Sequence, residues 1–154
     1  MTRWLDDREQ AAWRGYLAMQ ARLHAELHRR LQADSGLSIA DFDVLVALTD
    51  RPEQRLRVLE LAEALQWEKS RLSHHLARMQ KRGLVTREDC ADDGRGNFVV
   101  LTDDGRAAIE RAAPAHVETV RELVFDALSD DDVDALSRIA DAVRARLDQP
   151  WGTR

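Results

Sequence analysis

The hydrophobic period of this chain is helical almost throughout and changes at one place only. Apolar residues recur at helical steps through Trp13, Tyr16, Leu23, Leu27 and Leu31, and again through Val133, Leu136, Ala140, Val143 and Leu147. Between them, Leu84–Glu88 and Phe98–Thr102 are rich in β-formers and flank a turn-rich stretch, Ala91-Asp92-Asp93-Gly94-Arg95-Gly96-Asn97. A 3.6-residue period buries one stripe of a helix, whereas short β-branched runs around turn residues build a hairpin. The pattern predicts a mainly α protein with one small β-hairpin.

Local signals divide the helical part. The first helix is expected over about residues 8–34, with Gly36 at its C-cap. At ~1.5 Å per residue it is about 40 Å long, more than a small domain needs, so part of its stripe awaits a second subunit. Ser38-Ile39-Ala40-Asp41 resembles a capping box and opens a second helix that ends before Pro52. Arg51–Arg57 reads as a polar loop. A third helix is expected at Val58–Leu65, a turn at Gln66–Trp67, and a fourth helix from Glu68 to Arg82, stopped by Gly83. Thr102 caps a fifth helix reaching Ala127, which Pro114 should kink or divide. Ser129 caps a sixth, with Asp130, Asp131 and Asp132 at the positive end of its dipole.

The net charge of −5 argues, on its own, against a polyanionic partner. Yet residues 68–87 carry six basic side chains against Glu68, a local +5, while the rest of the chain sums to −10. A basic stripe on an acidic body can serve as a phosphate-binding face. Cys90 is the single cysteine, which rules out an internal disulfide and a cysteine-ligated zinc. Its acidic neighbours would raise rather than lower a thiol pKa, so it reads as structural. His24 and His28 have a spacing zinc can use, but His-Ala-Glu-Leu-His lacks the glutamate directly after the first histidine, and no metal is expected. With no Gly-rich phosphate loop, no G-x-S-x-G and no Cys–His nucleophile, neither an enzyme nor a cofactor is expected. No apolar run approaches the ~20 residues of a membrane span, and MTRWLDDREQ has no signal-peptide pattern. The expected location is the cytoplasm.

The pattern Leu61-Ala62-x-x-Leu65-x-Trp67-x-x-Ser70-x-Leu72-Ser73-x-x-Leu76-x-x-Met79 is that of a helix-turn-helix. Ala62 is small where two helices must meet, and the leucines and Met79 lock the fourth helix to the third. Facing outward are Lys69, Ser70, Arg71, Ser73, His74 and Arg78, groups able to donate hydrogen bonds from a helix sized for the ~12 Å major groove. Ser70, Arg71, Ser73 and His74 are the base-edge candidates; Lys69, His75 and Arg78 are the phosphate candidates. The hairpin that follows is a wing, and Arg95 at its tip suits the minor groove, with Asp93 beside it to hold the guanidinium.

Lys69-Ser70-Arg71-Leu72-Ser73, Lys81-Arg82-Gly83-Leu84-Val85 and Asp93-Gly94-Arg95-Gly96 followed by Val99-x-Leu101-Thr102-x-x-Gly105 together resemble the MarR family of winged-helix regulators. Glu68 and Gln66 depart from it: the family often has Asp or Ser at the first position and a turn glycine at the second. The resemblance implies a single domain, with a DNA-binding lobe over about 38–102 and dimerisation helices over about 8–34 and 103–148. It implies a homodimeric repressor on pseudo-palindromic double-stranded DNA. It also implies a small aromatic or phenolic effector, for which Trp13, Tyr16 and Phe42 are the lining candidates. The rival is a winged helix used only as a protein-interaction module, whose binding need not fall steeply with salt.

Overall fold

The structure, a computed structural model, describes residues 1–89 and 97–149. In chain order it contains α1 (Asp7–Ser35), α2 (Ile39–Thr49), β1 (Arg55–Arg57), α3 (Val58–Leu65), α4 (Lys69–Lys81), β2 (Val85–Asp89), β3 (Asn97–Leu101), α5 (Asp103–Leu123) and α6 (Asp130–Leu147). The contacts divide the chain into two compact units, one from Met1 to His116 and the other starting at Val117.

In the first unit, α1 starts at a capping box in which Asp6 and Glu9 each accept the other's backbone N–H. It ends at Gly36, whose φ of 71° is the left-handed conformation that a side chain would resist. Ser38 and Asp41 form the same reciprocal cap on α2. The strands pair antiparallel in the order β1-β3-β2. The segment expected as a polar loop thus contributes β1, because the free edge of β3 offers it hydrogen-bonding partners that a three-residue run cannot announce. Register puts Leu56 opposite Val99 on the covered face, and Arg57 opposite Phe98 on the other.

The core lies where α2, α3 and α4 meet this sheet. Val44, Leu45, Leu48, Leu61, Leu72, Leu76, Met79, Val85 and Val99 are fully buried. Each such side chain contributes about 1.5–3 kcal/mol, so α4 is tied down by three of them along one face. At the start of α5, the Thr102 hydroxyl donates to the carbonyl of Gly83 at 2.6 Å and accepts from the N–H of Gly105 at 2.9 Å. A Cβ on Gly105 would overlap the Leu84 carbonyl oxygen, so the T-x-x-G spacing is a close backbone approach locked by one hydroxyl.

Helix α5 passes through Pro114 without the expected division. Pro114 removes one helix hydrogen bond, to the carbonyl of Glu110; Glu110 is exposed, so water can take that carbonyl. In the second unit a single 3-10 turn at Phe125–Ala127 precedes α6, which opens on a Ser129–Asp132 capping box. Leu136, Ile139, Val143 and Leu147 form an exposed apolar row along α6. No helix among the described residues is long and apolar enough to cross a membrane.

Candidate nucleic-acid interface

The turn before α4 sets its direction. Gln66 ends α3 in the left-handed region, φ 54° and ψ 41°, and its side-chain amide donates to the Glu63 carbonyl at 2.8 Å. The chain accepts a non-glycine residue here at a cost of about 1 kcal/mol. Trp67 follows, its N–H donating to the Ala62 carbonyl at 2.9 Å and its side chain packed on the core. Glu68 is the N-cap of α4 but makes no side-chain cap, which leaves the leading N–H groups of that helix open to an acceptor from outside.

Leu72, His75, Leu76 and Met79 form the buried face of α4. Lys69, Ser70, Arg71, His74 and Arg78 are exposed, or nearly so, and Ser73 is half-buried at the edge. His75 is therefore a correction: it is not on the outer face with the phosphate candidates. It follows Leu72 by three positions and precedes Met79 by four, which turns it inward. There its Nε2 lies 2.9 Å from Asp41 Oδ1, a close polar contact off the line of a straight hydrogen bond. Its Nδ1 is 3.1 Å from an Arg78 guanidinium nitrogen, and its ring meets Trp67 edge-on at 5.6 Å.

Asp41 is buried at 3% exposure and also accepts from Arg82 at 2.6 Å and from the Ser38 N–H at 3.0 Å. Burial alone would push its carboxyl up, but the polar contact with His75 and the bonds from Arg82 and Ser38 outweigh that and hold it well below the usual carboxylate range. Arg82 donates as well to the Gly36 carbonyl at 3.1 Å, so one guanidinium joins the end of α4 to the α1–α2 junction.

Arg71 lies with its guanidinium carbon 4.3 Å from the centroid of the Trp67 ring. Two further cations were missed in the sequence: Arg55 and Arg57 lie over the Phe98 ring at 3.9 and 4.9 Å, and Arg55 faces Glu88 at 3.5 Å. The alternation Arg-Leu-Arg, with Leu56 buried between them, was the available signal. Asp89 and Asn97 form the last pair of the β2–β3 ladder. Asp93, Arg95 and Cys90, by contrast, fall outside the described residues.

A cavity of about 630 Å³ opens beside α2 in the same unit, with His24, Leu27, Phe42, Asp43, Val46 and His116 in its wall. Phe42 stands in that wall against the His116 ring at 4.4 Å. Trp13 and Tyr16 do not line it; they stack on each other at 5.6 Å further along α1, each about half exposed. Burial raises the Asp43 carboxyl, opposed by His24 and His116, and burial lowers His116, opposed by Asp43. His28 accepts weakly from the Ile39 N–H at 3.5 Å, and no cluster able to hold a metal ion occurs among the described residues.

The MarR family profile matches residues 35–96. Sco3205, a MarR family transcriptional regulator from Streptomyces coelicolor whose crystal structure is in complex with DNA, is 42% identical. It superposes with a TM-score of 0.91 over 99% of this chain and 95% of that one. AbsC, a MarR family regulator from the same organism, is 40% identical with a TM-score of 0.88 over 95% of this chain and 98% of its own. The HTH-type transcriptional repressor YetL of Bacillus subtilis is 29% identical over 115 residues, 75% of this chain and 68% of its own length. Across the curated Bacillus relatives aligned, the chain spans 62% to 68% of their length. All of these relatives are transcriptional regulators, not enzymes.

Proposed function

This chain belongs to the MarR family of transcriptional regulators, and from that membership we propose that it is a homodimeric, sequence-specific repressor of double-stranded DNA. The observation that carries the proposal is α4: three fully buried side chains fix the helix, and its opposite face is left to Lys69, Ser70, Arg71, Ser73, His74 and Arg78. Ser70, Arg71, Ser73 and His74 reach base edges, while Lys69 and Arg78 meet phosphates. Asp93 and Arg95 serve the wing. The lobe at 38–102 reads DNA; α1, α5 and α6 join two copies in a single functional domain, in the cytoplasm.

Support for a second copy comes from apolar faces that the single chain leaves open: Trp13, Tyr16 and Leu17 on α1, and separately the row on α6. An isologous interface over these faces gives a pseudo-palindromic site with half-sites about one helical turn apart. A small aromatic or phenolic effector enters the cavity against Phe42 and releases DNA by binding the DNA-incompetent state more tightly.

Selection of bound duplexes from a random pool, followed by affinity measured against salt, tests the central reading. The expected result is an enriched inverted repeat whose binding weakens steeply as salt rises. Recovery of no common sequence would overturn it. For the effector, a salicylate-like probe should weaken operator binding by the factor by which operator weakens probe binding, and Phe42→Ala should abolish both effects.

A further inference from the structure

We infer that Trp67 is a positioning residue for base recognition, its indole face holding the Arg71 guanidinium in the pose from which it enters the groove. This rests on the reading of Arg71 as a base contact.

The platform is rigid. Trp67 follows a left-handed turn residue, its N–H is bonded to Ala62, and its ring packs on the core. His75 meets it edge-on at 5.6 Å, with Asp41 and Arg78 as polar neighbours of its own. The indole cannot shift without moving groups that are buried.

The load on that platform is a solvent-exposed side chain. Arg71 is exposed, and a free arginine samples many rotamers that docking must freeze. At 4.3 Å its guanidinium carbon is well inside the ~6 Å reach of a cation–π contact. Stacking uses the face of the guanidinium, while hydrogen bonds to a base use the donors in its plane. The two are compatible at once, so the stack restricts Arg71 without consuming the groups that read sequence. Arg71 is also in the first turn of α4, the end that a recognition helix presents to base edges.

A double-mutant cycle on the full-length protein tests the inference. Affinity is measured for the pool-selected operator and for a shuffled duplex, using Trp67→Leu, Trp67→Phe, Arg71→Ala and the Trp67→Leu/Arg71→Ala pair. Trp67→Leu should weaken operator binding roughly two- to fivefold and leave the shuffled duplex unchanged, with Trp67→Phe restoring part of the loss. Arg71→Ala should cost fewer-fold in the Trp67→Leu background than in the wild type.

Equal losses on both duplexes, effects that multiply independently, or tighter operator binding in Trp67→Leu would each overturn the inference. The last would mean that DNA must pull Arg71 off the ring. A silent Arg71→Ala would sink the base-contact reading and this inference together, whereas an active Arg71→Ala with a silent Trp67→Leu sinks this inference alone. If circular dichroism finds Trp67→Leu unfolded, the same cycle run with Trp67→Phe decides.

Discussion

Asp41→Asn is the substitution whose consequences the structure fixes most fully. The side chain keeps its volume, so packing around the buried position is preserved. What changes is one acceptor oxygen, replaced by a donor, and the negative charge. Asp41 now accepts from Arg82 at 2.6 Å and from Ser38 at 3.0 Å, with His75 at 2.9 Å. An amide cannot accept from all three, and its NH₂ must face at least one donor. Loss of a hydrogen bond to a charged partner costs about 1.5–3 kcal/mol, and removing one member of a buried pair about 3–5 kcal/mol. Arg82 is 45% exposed and regains water, which places the total near the lower range, about 2–3 kcal/mol. For a chain of this size that lowers Tm by roughly 5–10 °C.

The pH dependence follows from the sign of the shift. The folded carboxyl is held below its ordinary range by His75, Arg82 and Ser38 acting against burial. Its stabilisation is therefore complete above the unfolded value of about 3.9, and is lost as pH falls from there toward the folded value. Urea titrations of wild type and Asp41→Asn, followed by circular dichroism, should show a gap of about 2–3 kcal/mol at pH 7 that narrows below about pH 4. A gap under about 1 kcal/mol at pH 7, or one undiminished at pH 3, would refute the reasoning.

Arg71→Ala should cost about 1–3 kcal/mol of operator binding and relax preference at one position of each half-site, checked by repeating the pool selection. Arg78→Ala should weaken operator and shuffled DNA alike and reduce the salt slope by about one. Gly83→Ala, at φ 76° and with only the Asp104 carboxylate at an ordinary 3.9 Å from its Cβ, should cost little more than the left-handed penalty of about 1–2 kcal/mol in urea unfolding. Gly105→Ala should cost more than Gly83→Ala, because its Cβ meets the Leu84 carbonyl rather than a side chain that can move. Light scattering at micromolar concentration should give a dimer mass; a monomer would leave the α1 and α6 faces without their proposed partner.

Helices α2, α3 and α4 were legible because each announces itself locally, through the Ser38–Asp41 cap and leucines at helical spacing, most of which end up buried; a turn at Gln66–Trp67 was legible too, but a glutamine gives no sign of its left-handed backbone. β1 was not, since three residues cannot display a period and its strand form comes from pairing with β3, more than forty positions away in sequence. Of the cavity wall, Phe42 was legible from α2. Trp13 and Tyr16 lie outside that wall: Trp13 precedes His24 by eleven residues, about 16 Å of helix, beyond what one small cavity spans. The histidines that do line it, His24 and His116, carry no local mark of that placement.

His74 and His75 isolate what residue type alone withholds. The two are identical and adjacent, and a basic segment invites both onto the DNA-facing side, His74 toward base edges and His75 toward phosphates. A helix turns ~100° per residue, so neighbours cannot share one direction. The spacing of Leu72, Leu76 and Met79 had already fixed which direction is inward, and position 75 falls within it. Buried, the imidazole needs polar partners, and it finds them in Asp41 on α2 and Arg78 one turn along α4. The same inward turn sets its ring edge-on to Trp67. A residue turned away from the outer face thereby supports the platform proposed for Arg71, and one histidine and one carboxylate add a polar tie between α4 and α2 to the apolar one made by Leu72, Leu76 and Met79.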